Sequence, residues 1–476
     1  MMALVPFEAV APVMLGSMVG ALLLGFPVAL TLIGHGFVFL LAGAALGFYP
    51  SGLMYAQVLR IYGIAYNDTL LAIPFFTLMG MLLERSGIAE DLLTAAGEVL
   101  GGIRGGLAYA VVLVGVVLAC TTGVLQASII AMGLISLPAL LARGYPARLS
   151  CGVITASATL AQLIPPSLVL IVMAEVTGVP VTDMYERALV PGLLLAGAYL
   201  AWVAICAVRG TIPLPAGRPA PTAACMRRWA LAMMPPLGII GGTLGSLLAG
   251  MATPTESGAF GALSALALTA LRGRLTVGLL RGACDATLVI SCAAMFILVG
   301  ASFFVLPFRG MDGDVWLQTF FSALPAGKTG FLVATALLVF VLAFFLDFFE
   351  IAFIVLPLVM PAVRAFGIDP AWFAVLLCVV LQTSFMHPPF GIALYNLRSV
   401  APPQVPTSAI YWGAVPFIAI QLMMTVILIA WPNLAVPIFT RPAERLSPAE
   451  VDARLQALPH PEFPERSTPD SGNTGH

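Results

Sequence analysis

Two apolar stretches of this chain are each too long for one membrane crossing, and each is interrupted near its middle. Residues 108–141 are broken by Thr121-Thr122-Gly123, and residues 330–363 by Asp347 and Glu350. A spanning helix needs about 20 apolar residues, so neither stretch fits one straight helix. The same punctuation accompanies both. Pro138 and Pro361, Gly144 and Gly367, and Pro165-Pro166 and Pro388-Pro389 are all 223 positions apart. A repeat of that length, with its helix breakers in register, marks an internal duplication. In a membrane chain, interrupted apolar segments at matching places in two halves point to a substrate and ion site between the repeats.

Composition removes the soluble alternatives. The 476 residues are 60% hydrophobic and 9% charged, where a soluble domain carries roughly 25% charged residues. The chain reads as an all-α polytopic membrane protein lying in the lipid bilayer. A net charge of -1 without a basic stripe gives no reason to expect a nucleic-acid partner. The seven cysteines are scattered and form no C-x-x-C. They are expected to be small apolar residues within helices. The opening M-M-A-L-V-P-F-E lacks a positive n-region, so no cleaved signal peptide is expected. Gly101-Gly102-Ile103-Arg104-Gly105-Gly106 reads as a turn between helices. It lacks the Lys-Ser/Thr ending of a phosphate loop.

Along the chain, residues 13–32 qualify as a first span, and residues 53–64 are too short to cross alone. Asn67-Asp68-Thr69 is placed to cap the following helix. Residues 108–141 allow two readings, two spans with almost no loop or a re-entrant hairpin with its tip at 121–126. The small polar tip between short apolar runs favours the hairpin, and backbone of that kind must lie inside protein or beside water. Residues 149–172 break at Ile164-Pro165-Pro166, where two missing N–H groups free carbonyls one turn earlier. Arg209, Arg218, Arg227 and Arg228, and then Arg272, Arg274 and Arg281, mark loops expected on the cytoplasmic side. The resulting division is scaffold helices over 1–66, transport repeat 1 over 67–189 and scaffold helices over 190–286. Transport repeat 2 follows over 287–414, then a last scaffold helix over 415–440 and a disordered polar tail over 441–476.

Three groups of residues carry the candidate chemistry. The first pairs the 121–126 tip, with Gly123 and Gln126, with the break bearing Thr159 and Gln162. Hydroxyls and freed carbonyls there suit a small hard cation, which prefers oxygen ligands; the alternative is a kinked helix packed on a tight turn. The second pairs Asp347 and Glu350 with Gln382, Thr383 and His387. A carboxylate at mid-membrane costs at least about 2.5–3.5 kcal/mol and needs a cation, a proton, an arginine or water. The alternative is that both carboxylates cap a helix at a wet hairpin tip. His387 is either a proton acceptor or ion ligand, or a hydrogen-bonded structural side chain. The third is Glu175 with Arg398, again 223 apart. They can meet across a twofold axis, line the cavity with Arg398 gripping a carboxylate, or sit as helix-end charges.

These residues and their neighbours resemble the large membrane subunit (DctM-like) of the tripartite ATP-independent periplasmic, or TRAP, transporters. The resemblance runs from about Met14 to Val436. It rests on G-M-L-L-E-R-S-G-I-A-E-D-L at 80–92, R-G-Y-P with L-I-P-P-S, T-P-T-E-S-G-A-F-G-A at 253–262, and G-I-D-P followed by H-P-P-F-G. It implies an elevator-type carrier in which two hairpins and two broken helices form a moving domain. Its implied partners are a small membrane subunit, a periplasmic substrate-binding protein and a small organic anion. Coupling would be to sodium, with no other cofactor, and the location the bacterial inner membrane. By motif, the first sodium site falls on Thr122, Leu125, Ala161, Ile164 and Pro166, and the second on Ala343, Ser384, His387 and Phe390. The chain departs from the common pattern in three places: T-G-V-L stands at the first tip, Ala158 and Ala161 replace glycines, and His387 replaces threonine. T-G-V-L-Q-A-S, F-F-L-D-F-F-E-I and H-P-P-F-G-I-A-L are similar to the branch associated with monocarboxylates such as 2-oxo acids and lactate, and loosely with mannitol and chloroaromatics. The rival readings are a stand-alone proton- or sodium-coupled anion carrier, an intramembrane enzyme built on Asp347, Glu350 and His387, and a non-transporting scaffold.

Overall fold

The computed structural model describes residues 7–49, 52–122, 125–213, 222–388 and 391–436. It is 81% helical and has no strands among the described residues. Six helices there are long and apolar enough to cross a membrane, or seven if one bent pair counts as a single span. The polar tail expected over 441–476, Arg218, Gly123 and Phe390 lie outside the described residues.

The first half comprises α1 (Phe7–Leu23), α2 (Val28–Ala45), α3 (Leu53–Ala65), α4 (Ala72–Arg85) and α5 (Ile88–Leu100). It continues with α6 (Gly106–Thr122), α7 (Leu125–Ala142), α8 (Ala147–Thr159), α9 (Leu168–Thr177) and α10 (Val181–Val208). The second half comprises α11 (Ala223–Leu248), α12 (Pro254–Leu271), α13 (Val277–Gly310), α14 (Gly313–Ser322) and α15 (Gly327–Leu342). It ends with α16 (Phe348–Ala365), α17 (Pro370–Gln382), α18 (Ile392–Val400) and α19 (Thr407–Ala430). One-turn 3-10 segments, Leu160–Gln162 and Thr383–Phe385, follow α8 and α17.

The duplication covers nearly all of this. α16, α17 and the second 3-10 segment begin 223 residues after α7, α8 and the first 3-10 segment. α2 matches α12, α5 matches α14, and α10 matches α19 within a few residues. The halves differ at one join, where α3 and α4 correspond to the single 34-residue helix α13. Packing is reciprocal: α2 lies on α13 and α12 on α4, α9 on α16 and α18 on α7. Such an exchange of partners is what a twofold relation between two copies produces.

Local chemistry explains where the helices begin and end. The expected span over 13–32 is two helices, because Gly25 adopts a positive φ of 83° and Pro27 precedes the first turn of α2. Thr253 and Glu256 form a reciprocal capping box on α12. The division edges read from sequence at 190, 287 and 415 fall inside α10, α13 and α19. α10 and α19 start in turns containing polar residues, and α13 carries Arg281 and Asp285 in its first turns, which apolar runs do not register. Asn67 accepts from the N–H groups of Thr69 and Leu70 at 2.9 and 3.2 Å and so closes the turn ahead of α4, whose own N-cap, Leu71, makes no side-chain cap.

Glycines let some of these helices touch backbone to backbone. A Cβ on Gly152 in α8 would collide with the Gly413 carbonyl of α19, and one on Gly413 with the Arg148 carbonyl. Without a hydrophobic drive inside lipid, such close approach is a principal source of helix association. Gly152→Ala is expected to destabilise the protein by about 1–3 kcal/mol, the usual cost of overpacking. Gly197→Ala and Gly238→Ala, with nothing within 4 Å of the added carbon, should be neutral or stabilising by up to about 1 kcal/mol. Thermal midpoints in detergent distinguish them; equal midpoints for all three would show that the crossing is not tight.

Candidate functional site

The double prolines act alike in both repeats. In a regular helix the carbonyls of Ala161 and Gln162 would accept from residues 165 and 166, which are prolines and have no N–H. The N–H groups of Leu163 and Ile164 turn back to the Leu160 carbonyl at 3.0 Å each. Ser167 Oγ donates to the Gln162 carbonyl at 2.8 Å. The Ala161 carbonyl is therefore left without a helical donor. In the second repeat, the N–H groups of Met386 and His387 return to the Thr383 carbonyl at 2.9 and 3.2 Å. Position 388 is a proline, so the Ser384 carbonyl is released in the same way. Ala161 and Ser384 are 223 apart. Both are buried, as are Ile164, Pro166 and Ala343.

The two tips and the two breaks meet. A cavity of about 150 Å³ is lined by Leu125 and Gln126 at the first tip and by Gln162, Leu168 and Val169 beside the first break. Asp347, Phe348 and Phe349 line it at the second tip, with Phe385 and Ile392 beside the second break. Its walls are duplicated positions: Leu125 with Phe348, Gln126 with Phe349, Gln162 with Phe385, and Val169 with Ile392, each pair 223 apart. The polar side chains of the first repeat face aromatic rings of the second. Because Leu125 and Asp347, at the starts of α7 and α16, line this internal cavity, α6–α7 and α15–α16 fit hairpins that turn inside the protein better than full spans with surface loops.

The hydroxyls near the breaks turn back onto their own helices. Thr159 donates to Ala156 at 2.8 Å, Thr383 to Val380 and Ser384 to Leu381 at 2.6 Å each. Carbonyl oxygens remain the principal cation ligands that the breaks can offer. Thr122 ends α6, which places its backbone at the first tip.

Asp347 and Glu350 resolve as caps. Asp347 is the N-cap of α16 and accepts from Phe348 N at 2.6 Å, while Glu350 accepts from Asp347 N at 2.9 Å. Asp347 also faces the cavity. His387 is 4% exposed, and neither ring nitrogen has a side-chain hydrogen-bond partner among the described residues. It stacks on Phe344 with centroids 4.0 Å apart and meets Phe340 edge-on at 5.2 Å. Among the described residues no three His, Cys, Asp or Glu side chains gather as a metal-ligand set. Glu175 and Arg398 neither meet nor line this cavity. Glu175 accepts from Asn67 Nδ2 at 2.6 Å, and Arg398 donates to the Val405 carbonyl at 2.7 Å. Sequence spacing made them equivalent, and equivalence under a twofold does not bring two residues together.

Gln421 escaped the sequence reading. It is fully buried on α19, and its Nε2 lies 2.9 Å from Tyr199 OH, 3.3 Å from Thr159 Oγ1 and 3.6 Å from Met386 Sδ. One amide thus ties both breaks to α10 and α19. Only its polarity within an apolar helix could have singled it out. Gln382 is fully buried with both amide atoms unpartnered among the described residues.

A duplicated all-α membrane fold with interrupted helices closing on a cavity between the repeats is the architecture of a secondary transporter. The chain matches the family described as "Tripartite ATP-independent periplasmic transporter, DctM component" over residues 15–434, and it belongs to that family as a large permease subunit. It is 28% identical to the C4-dicarboxylate TRAP transporter large permease protein DctM of Pseudomonas aeruginosa, covering 80% of this chain and 88% of that one. It is also 28% identical to the ectoine TRAP transporter large permease protein TeaC of Halomonas elongata, covering 89% and 97%. The sialic acid TRAP transporter large permease protein SiaM of Vibrio cholerae is 26% identical, covering 87% and 95%. Among solved structures, the Alcanivorax borkumensis YdaH transporter superposes with a TM-score of 0.58 at 17% identity, covering 82% of this chain and 90% of that one. That likeness shows a shared fold.

The two roles of Asp347 separate experimentally. Asp347→Ala removes the cap and is expected to cost about 1 kcal/mol, whereas Asp347→Asn keeps an acceptor and should melt near the parent. If Asp347→Asn nevertheless loses uptake, the charge facing the cavity is what transport needs. If its uptake is unchanged, capping is its whole contribution.

Proposed function

We propose that this chain is the subunit through which a TRAP transporter of the bacterial inner membrane imports a small organic acid anion together with sodium. The observation that carries this reading is the lining of the central cavity. Among the described residues it contains Gln126, Gln162 and Asp347 and no cationic side chain. An anion held there beside a carboxylate needs positive charge from elsewhere. Freed carbonyls at Ala161 and Ser384, related by the duplication, are suitable ligands for two hard cations next to it. Site one would then take Thr122, Leu125, Ala161, Ile164 and Pro166; site two would take Ala343, Ser384, His387 and Phe390. A cavity of about 150 Å³ suits a compact 2-oxo or 2-hydroxy monocarboxylate better than a large sugar acid.

The related permeases named for C4-dicarboxylate, ectoine and sialic acid support a carboxylate cargo. The family's description as tripartite and periplasmic supports a small membrane subunit and a periplasmic substrate-binding protein as partners. In the mechanism, α6–α9 and α15–α18 carry sodium and then the anion across the bilayer against the remaining helices, in an elevator movement. An excess of sodium charge over anion charge gains about 2.3 kcal/mol per net charge at 100 mV.

Thermal stability in sodium against potassium, at several pH values, tests the coupling ion. A ligand at about 100 times its Kd stabilises by roughly 2.7 kcal/mol, so a sodium-specific rise is expected. Pro166→Ala should restore a donor near the freed carbonyls and reduce that rise. A shift that depends on pH alone and disappears in His387→Ala would replace sodium by proton coupling. Uptake by this chain without partner subunits would replace the tripartite carrier by a stand-alone one.

A further inference from the structure

A second cavity is several times larger than the one at the hairpin tips. A vestibule of about 790 Å³ opens where α3, α9, α13 and α16 come together. Three arginines line it: Arg60 from α3, Arg309 near the end of α13, and Arg364 from the last turn of α16. Arg309 is neutralised by Asp314 at 3.1 Å and also donates to the Pro357 carbonyl at 3.3 Å. Arg60 and Arg364 make no direct hydrogen bond or ion pair among the described residues, although Arg60 also lies within the electrostatic reach of Asp314. The other carboxylate in the lining, Glu175, is engaged by the Asn67 amide.

The duplicated counterpart of this region is built differently. Asp91 is the counterpart of Asp314, 223 positions earlier. It holds Arg272 at 2.8 Å and Arg274 at 3.5 Å, and Arg274 also donates to the Ser86 carbonyl at 2.6 Å. The positions equivalent to Arg60, Arg309 and Arg364 are Ala283, Ser86 and Leu141. Arginines at one end are therefore locked by a carboxylate and a carbonyl, while at the other end two border open space without a direct ion pair among the described residues.

The two ends lie on opposite faces. Arg272 and Arg274 precede α13, and Arg309 lies at its far end. Its 34 residues rise about 51 Å, more than the roughly 30 Å apolar thickness of a bilayer. Arg209, Arg227, Arg228, Arg272, Arg274 and Arg281 cluster on the first face, where positive residues mark the cytoplasmic side. The vestibule therefore faces the side from which cargo is delivered.

The geometry points to this vestibule as a receiving site for small carboxylate anions, held by Arg60 and Arg364 before they pass to the cavity between the hairpins. It supplies the cationic groups that the inner cavity lacks. Guanidinium groups match carboxylates in shape and charge. A cleft lined by three arginines against two carboxylates keeps an excess of positive charge, which raises the local concentration of anions. The assignment rests on the carrier reading for its purpose, and its test needs no transport.

Val176 lines the vestibule and is partly exposed, so Val176→Cys places a thiol inside it. Full-length Val176→Cys protein in intact cells is treated with anionic MTSES or cationic MTSET, and modification at that position is read by mass spectrometry. The anionic reagent is expected to be favoured, and adding Arg60→Gln and Arg364→Gln should lower the MTSES-to-MTSET rate ratio at least about fivefold. Pyruvate or succinate should slow MTSES labelling more than chloride at equal ionic strength. A ratio unmoved by the two arginine substitutions, in variants that melt like their parent, overturns the site. Equal protection by chloride overturns the carboxylate selectivity. Labelling confined to inside-out vesicles overturns the assignment of the face. Protection by a partner protein but by neither anion would make the vestibule a docking surface instead.

Discussion

Backbone amides and carbonyls cannot be left unpaired against hydrocarbon, and this constraint governs the structure at every scale. It requires helices nearly everywhere. It also decides where a helix can stop inside the membrane, because any interruption must be surrounded by protein or open onto water. The paired prolines remove two donors, and the one-turn 3-10 segments at Leu160–Gln162 and Thr383–Phe385 recover part of the loss by sharing one acceptor between two N–H groups. The breaks lie beside the central cavity, which the starts of α7 and α16 also line. The site is therefore the place where the folding constraint is locally relaxed.

Duplication supplies two such breaks, and the departures from symmetry give them different chemistry. Gln126 and Gln162 face one side of the cavity, and Phe349 and Phe385 occupy the equivalent positions on the other. Ile164 in one break is His387 in the other, packed against Phe344. α3 and α4 are separate where α13 is continuous, and the gap contains Asn67, which reaches across to Glu175. Charge is distributed just as unevenly, with Arg272 and Arg274 locked by Asp91 at one end, and Arg60 and Arg364 without a direct ion pair among the described residues at the other. A symmetric pair of halves has no reason to prefer a direction; these substitutions give the molecule two unlike faces.

Much of this could be read from residue order, because proline, glycine and apolar run length act locally. The all-α membrane class, both hairpins, both breaks and the 223-residue offset follow from side-chain types and spacing. The positions of freed carbonyls follow as well, since a missing N–H is a property of the proline itself. The starts of α10, α13 and α19 were not legible, because polar or charged residues in their first turns interrupt the apolar run: Asp183 and Glu186, Arg281 and Asp285, and Thr407 and Ser408.

Which residues converge was settled only in three dimensions. Glu175 and Arg398 occupy equivalent positions but bond to Asn67 and Val405. Asp347 and Glu350 are one reciprocal cap rather than two independent mid-membrane charges. Gln421, a lone polar residue on an apolar helix, ties Thr159, Tyr199 and Met386 together through contacts more than 200 residues distant for two of them. The physical reason is range. Helix breaking, capping and membrane residence depend on neighbours a few residues away, which the sequence displays directly. A cavity and its lining depend on how helices from two halves cross, and that is decided by packing across the whole chain.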